Sequence, residues 1–378
     1  MDKLNVSNFG PIKEANVAFG DLTFIVGPQA TGKSLFLELF KLIVDKNNIV
    51  STLKNNFEIK DRDDLLNCYF GKGLSSLLNS NTKAIFNKKD FDIDSLIDLN
   101  RSAEEKIFYI PAQRIMSLND GSPKGFIDFN LSTPYILRSF SENLRLFIQG
   151  IPLNLLFAYT IGLYKHFGKK NSVRHTIFNE ADIELQLNNF KRELILRVGD
   201  MNIPFMAWSA GQKEFMPLFL AFYSLIAPTN LVKRPDYKCI IVEEPEMGLH
   251  PKAIESVLLE IIDLMNRGYK IVVSTHSSTF LDFAWTVNCI KKNDDDTFRK
   301  AMCELFGYEY DTAIDLFDNI KKKSIKTYFS AKSNADGVVF TDISSLDASN
   351  DNIDISEWGG LSSFAGKASE VVSKYIID

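Results

Sequence analysis

The 378-residue chain sets 43 Lys and Arg against 48 Asp and Glu, a formal net charge of -5, with 45% hydrophobic and 24% charged residues. That balance is ordinary for a globular protein of one large or two modest domains, and it excludes a chain coated in nucleic acid, which would be basic overall. Any DNA or RNA contact must come from a local patch; Lys165 to His175 and Lys321 to Lys326 are the two candidates, each also readable as a solvated charge run. The four cysteines, Cys68, Cys239, Cys289 and Cys303, form no CxxC pair, which suggests neither a zinc clip nor a disulfide framework and fits a reducing cytoplasm. The N-terminus has no apolar signal region, and the longest apolar stretch, Phe215 to Ala227, is too short to span a bilayer, so a cytoplasmic chain without a membrane partner is expected.

In chain order, Leu4 to Phe9 and Ala15 to Phe19 read as short strands about a Gly10–Pro11 turn. Leu22 to Val26 (LTFIV) is a continuous apolar run, the pattern of a strand buried on both faces, and feeds a glycine-bearing loop and a helix expected over Lys33 to Asp45. Residues 46–100 are polar and rich in Asn, Asp and Lys, and are expected to form a helical insertion with loops. Lys106 to Ile110 returns as a strand ending at Pro111, and 121–133 reads as a loop. Helical apolar spacing marks a lobe over 134–170. Asp182 to Leu187 and Glu193 to Val198 alternate like paired strands. A helix from Gln212, a buried strand Cys239 to Val242, a helix Ala253 to Asn266 and a buried strand Lys270 to Ser274 follow. Residues 286–378 are expected as a helical and β extension packed on the domain formed by 1–285, with a strand at Val338 to Ile343 and a final helix near Ala365 to Ile377.

Four motifs carry chemistry. Gly27-Pro28-Gln29-Ala30-Thr31-Gly32-Lys33-Ser34 matches G-x-x-x-x-G-K-[ST] in full, between a buried strand and an apolar helix. Gly27 and Gly32 let the backbone curl so that successive N–H groups face phosphates, and the helix N-terminus adds its positive dipole end. Lys33 can reach the outer phosphates and Ser34 can ligate Mg²⁺. Ser209-Ala210-Gly211-Gln212 opens an apolar helix and reads either as an ordinary N-cap or as a phosphate-binding helix start. The strand Cys239 to Val242 ends in Glu243 and Glu244, which can place one carboxylate near Mg²⁺ and one against an attacking water; Glu246 reads as structural or solvent-facing. Ser274-Thr275-His276-Ser277 ends another buried strand, where open α/β sheets bind ligands. His276 suits contact with a terminal phosphate near neutral pH, whereas His250 reads evenly as functional or structural.

In this order the motifs resemble those of the soluble ABC-type ATPases of the SMC, RecN and OLD group, especially its short bacterial AAA-labelled members. Asn8 to Lys13, Ser209 to Gln212, Glu243 to Glu246, Gly248 to Pro251 and Ser274 to Ser277 carry the resemblance, which covers most of 1–285. Trp358-Gly359-Gly360-Leu361 is similar to tails of such proteins. The resemblance implies a P-loop NTPase fold of α/β class, with a mostly parallel core sheet, N-terminal antiparallel strands and a helical insertion lobe. It implies ATP held by Gly27 and by Gln29 to Ser34, and Mg²⁺ held by Ser34 and Glu243, the latter standing where Asp is commoner. Glu244 is implied as the catalytic carboxylate and His276 as the switch histidine. Ser209, Gly211 and Gln212 are implied as the signature that completes a partner copy's site. Gln113 is the candidate Q-loop glutamine at ATP and metal, with a bland surface glutamine as the alternative; Arg114 beside it can contact phosphate or pair with an acidic neighbour. His250 stands where many relatives carry Asp.

One phosphate loop and one signature per chain imply a homodimer with two composite ATP sites. The interval from Lys33 to Ser209 is too short for a long antiparallel coiled coil, which needs on the order of hundreds of residues in sustained heptads. The expected function is an ATPase that gates a separate effector, a nuclease or toxin, in DNA repair or anti-phage defence. OLD enzymes carry an acidic Toprim nuclease domain; Asp336, Asp342 and Asp347 form no convincing metal cluster here, so this chain alone is expected not to cut DNA. The competing readings are the ATPase subunit of a membrane transporter and a small-molecule kinase, which would not need Ser209 to Gln212.

Overall fold

Alternating burial along β1 (Lys3–Phe9) and β2 (Ile12–Ala18) produces an antiparallel hairpin, tightened by Asn8 and Gly10 at φ 55° and 49°. β3 (Leu22–Val26) follows, buried at every residue, and leads into α1 (Lys33–Asn56) and α2 (Arg62–Phe70). The chain returns through a short hairpin, β4 (Lys83–Phe86) and β5 (Lys89–Asp90), to the fully buried β6 (Ile107–Ile110). A ribbon of β7 (Leu118–Asn119) and β8 (Ser122–Pro123) precedes α3 (Tyr135–Gly150) and α4 (Val173–Phe178). β9 (Asp182–Asn188), β10 (Lys191–Val198) and β11 (Met201–Pro204) form their own antiparallel sheet. α5 (Ala210–Ile226), β12 (Cys239–Glu243), α6 (Pro251–Asn266), β13 (Lys270–Ser274), α7 (Ser278–Ile290) and α8 (Asp295–Phe306) come next. β14 (Ile325–Ser333), β15 (Gly337–Asp342) and α9 (Ser363–Tyr375) close the order. The computed structural model describes residues 2–151, 173–179, 181–188, 191–227, 233–309, 314–333, 337–361 and 363–375.

Ten strands make the main sheet, in the order β5-β4-β1-β2-β15-β14-β3-β13-β12-β6. β14, β3, β13, β12 and β6 are parallel, and the N-terminal strands are antiparallel, the α/β class expected. Successive residues of β3 point to opposite faces. Leu22, Phe24 and Val26 join one apolar cluster with α5, α6 and α7, while Ile25 joins the other with α1 and α2. Helices thus cover both faces, as parallel strands require.

The structure corrects two expectations and bears out the helix boundary at Asp45, where the backbone leaves helical geometry at φ -107° and ψ 20° before helix resumes to Asn56. Asp45 turns its carboxylate to the start of β6, accepting the N–H groups of Lys106 at 2.7 Å and Ile107 at 3.0 Å. Residues 46–100 are not purely helical, because β4 pairs with β1 and extends the sheet beyond the N-terminal hairpin. The residues after 285 are not a layer packed on a finished domain, since β14 lies between β3 and β15 inside the sheet, with Ile325 opposite Leu22 and Phe329 opposite Val26. Of the 134–170 lobe, α3 is seen; 152–170 lies outside the described residues, as do 165–172 of the first basic run. In the second run, Lys321 pairs with Asp295 at 2.5 Å and Lys326 faces Asp342 at 3.8 Å. Asp342 and Asp347 bind the neighbouring Ser344 and Ser349 rather than each other, and Asp336 lies outside the described residues.

A buried ionic cluster joins α1 to the start of β6. Lys41 Nζ donates to Asp45 Oδ2 at 2.8 Å, to Glu105 and to the Ile107 carbonyl, and the Tyr237 hydroxyl donates to Glu105 at 3.2 Å. Burial opposes the lysine charge, but Glu105 and Asp45 together hold its pKa above the ordinary lysine value. Lys41→Met leaves two buried carboxylates without their cation and is expected to lower the unfolding free energy by about 3–5 kcal/mol, read by urea denaturation. A loss under about 1 kcal/mol would show that water already serves these carboxylates.

Candidate nucleotide and metal site

The phosphate loop is shaped from behind by β14. Gly27 sits at φ 146°, and a Cβ there would lie 2.2 Å from the Ser330 carbonyl, so only glycine fits. The Ser330 hydroxyl lies 2.8 Å from Thr31 Oγ1, which donates to the Pro28 carbonyl at 2.8 Å. Gly32 at φ 76° turns the chain into α1 without a side-chain cap, leaving first-turn N–H groups for an anion. Lys33 folds back over the loop, its Nζ donating to the Gly27 and Pro28 carbonyls, each at 2.7 Å. Burial lowers its pKa, against the pull of Glu244, Glu243 and Glu246.

The loop opens into a cleft of about 390 Å³ walled by Pro11, Gln29 to Leu35, Glu244 and His276. Glu244 and His276 therefore face the loop from the ends of β12 and β13, with His276 Nε2 3.5 Å from Glu244 Oε1. Glu244 has φ 43°, unusual for a side-chain-bearing residue, and its N–H donates to the Ser274 carbonyl at 2.8 Å. Glu246 is structural: its Oε1 accepts the His276 N–H at 2.6 Å and the Thr275 hydroxyl at 2.8 Å, which fixes the histidine loop.

Glu243 is buried, and burial pushes its carboxyl pKa up, with the Ser34 hydroxyl and the Ala112 N–H offsetting part of the rise. Its Oε2 accepts the Ala112 N–H at 3.2 Å, while Oε1 is buried without a hydrogen-bond partner. An unpartnered carboxylate oxygen beside the exposed Ser34 suits a hard cation that takes its other ligands from phosphate and water. Among the described residues no group of three or more His, Cys, Asp or Glu could hold a metal. Sequence reasoning missed Glu38, one helical turn beyond Ser34, whose carboxyl pKa is raised by burial and by Glu243; that spacing was its only signal.

The remaining residues stand elsewhere. Ser209 caps α5 in a reciprocal capping box, its hydroxyl accepting the Gln212 N–H at 3.3 Å and Gln212 Oε1 accepting the Ser209 N–H at 3.1 Å. Ser209 and Ala210 are exposed, and neither they, Gly211 nor Gln212 wall the cleft. Gln113 is exposed beyond β6 and does not wall the cleft either. Of the two readings of His250 the structure makes the cap: its Nδ1 accepts the Lys252 N–H at 3.3 Å at the start of α6. Arg114 is buried and binds main-chain carbonyls of Glu214, Glu243 and Glu244 rather than a carboxylate.

Comparison with known proteins shows the family. The family model described as "AAA domain, putative AbiEii toxin, Type IV TA system" matches residues 80–282, and one described as "AAA ATPase domain" matches residues 1–124. The Old nuclease of Escherichia phage P2 is 30% identical over 96 residues, which cover 25% of this chain and only 16% of that protein. Among solved structures, an SMC head bound to the C-winged helix domain of ScpA covers 90% of this chain and 97% of its own, at 13% identity and a TM-score of 0.43. The SMC head domain from Thermotoga maritima has the same coverage and identity, with a TM-score of 0.33. Matched over more than half its length by the first family model, the chain belongs to that AAA-domain family and is an ATP-hydrolysing enzyme.

Proposed function

We propose that two copies of this chain close over two ATP molecules, each lying between the phosphate loop of one copy and the α5 N-terminus of the other, and that hydrolysis releases the pair. The observation that carries this reading is the separation within one chain: loop, Glu244 and His276 share a cleft, while the exposed start of α5 stands outside it. A helix start left open to solvent suits a phosphate brought by a second copy. Mg²⁺ would be held by Ser34 and Glu243, with Gln113 within reach only if its turn moves; when bound, it neutralises charge on the outer phosphates. Glu244 orients a water and takes its proton, and His276 donates to the terminal phosphate. Contacts made only with that phosphate shift the population toward the closed pair.

The closed pair controls a separate effector, a nuclease or toxin, in DNA repair or defence against phage. The family description, which names a toxin and a toxin–antitoxin system, and the likeness to a phage Old nuclease support this role. Nucleic acid, where bound, meets a local basic patch. No helix among the described residues is long and apolar enough to cross a membrane, and we infer a cytoplasmic site of action. Glu244→Gln with ATP and Mg²⁺ is expected to elute at twice the mass of Lys33→Ala, which loses nucleotide. A Glu244→Gln chain that stays monomeric at saturating ATP sinks the composite-site reading.

A further inference from the structure

Arg114 is fully buried, and among the described residues it makes no ion pair. A desolvated guanidinium is costly unless its donors are well placed. Here Nη1 donates to the Glu243 carbonyl at 3.0 Å, Nη2 to the Glu244 carbonyl at 3.1 Å, and Nε to the Glu214 carbonyl of α5 at 3.1 Å. The first two acceptors flank the residue held at φ 43°, a conformation that persists only where its surroundings over-determine it. A second contact joins the same pieces: a Cβ on Gly211 would lie 2.6 Å from the Gly248 carbonyl, so the start of α5 and the loop after Glu244 meet backbone to backbone.

We propose that Arg114 is a positioning residue for ATP hydrolysis: it fixes the main chain that carries Glu244 and ties it to the start of α5, so a displacement of α5 moves the carboxylate of the same chain. The proposal rests on Glu244 as the carboxylate of hydrolysis. A planar fork of donors can serve three carbonyls at once, which a lysine ammonium on a flexible stem cannot do in the same geometry.

The test is a double-mutant cycle on the full chain, using single-turnover hydrolysis of radiolabelled ATP with Mg²⁺, ATP binding and thermal unfolding. Arg114→Lys is expected to slow hydrolysis at least about tenfold while ATP affinity stays within about twofold. In the Glu244→Gln background the same change is expected to do nothing further, because Arg114 acts through Glu244. Arg114→Gln, which keeps a planar donor but loses the fork, is expected to behave likewise and decides the matter if Arg114→Lys does not fold. Equal slowing by either change with and without Glu244 overturns the proposal, as does a loss confined to ATP affinity. Full turnover by Glu244→Gln alone overturns the reading of Glu244, and the proposal with it.

Discussion

Glu244→Gln is expected to slow ATP hydrolysis by about 10²–10⁴-fold while leaving nucleotide affinity nearly unchanged. The amide keeps the size and most of the hydrogen-bonding reach of the carboxylate but cannot take a proton. Glu244 walls the cleft opposite Lys33 and Ser34, and none of the contacts that shape the loop uses its side chain. The loop should therefore keep its form, and only the chemical step should suffer. Single-turnover hydrolysis beside equilibrium binding of a fluorescent nucleotide separates the two quantities. A matched loss of both would mean that Glu244 holds the nucleotide rather than serving the reaction.

A chain ending at residue 285 is expected neither to unfold cooperatively nor to bind nucleotide. β3 would lose β14, its partner along Leu22 to Val26, and with it one of its two neighbours in the sheet. The cover behind the phosphate loop would go as well, because Ser330 closes against both Gly27 and Thr31. Phe329, Ile325, Ile343 and Leu346 leave the apolar cluster that contains Phe24 and Val26. At about 1.5–3 kcal/mol for each buried aliphatic or aromatic side chain, that loss is comparable with the whole stability of a domain. Circular dichroism on heating and nucleotide binding by the 1–285 chain check this. A stable 1–285 fragment that binds ATP would return β14 to the status of an appendage.

What the sequence made legible is what local pattern encodes. LTFIV, the glycine loop and the helix after it are contiguous, so period and motif were enough to find them. The same holds for the acidic strand end at Glu243 and Glu244 and for the histidine after β13. What stayed hidden depends on residues far apart in the chain. Nothing near Ile325 announces that its strand lies against Leu22, and its lysine-rich start reads as surface. The hairpin of β4 and β5 turns at Asn87 and Lys88, both at positive φ, without the glycine that usually marks such a turn. The break in α1 at Asp45 was legible, but not its partners, the N–H groups of Lys106 and Ile107 some sixty positions away. Arg114 was read as a partner for phosphate or for an acid, and its guanidinium is held by three main-chain carbonyls; carbonyl acceptors carry no signature in a side-chain sequence. Ser209 and Gln212 show the opposite case, since a capping box is a local pattern and it formed.

The place of β3 in the sheet has a consequence for synthesis. Its two neighbours are β13, at 270–274, and β14, at 325–333. A ribosome adding about 5–20 residues per second needs about 12–50 s to pass from β3 to β13, and about 3–10 s more to reach β14. Through the first interval both edges of LTFIV stay open to any other strand, and through the second one edge does, which is the kind of exposure that chaperones shield. The first part of the nucleotide site to leave the ribosome is thus among the last to be completed.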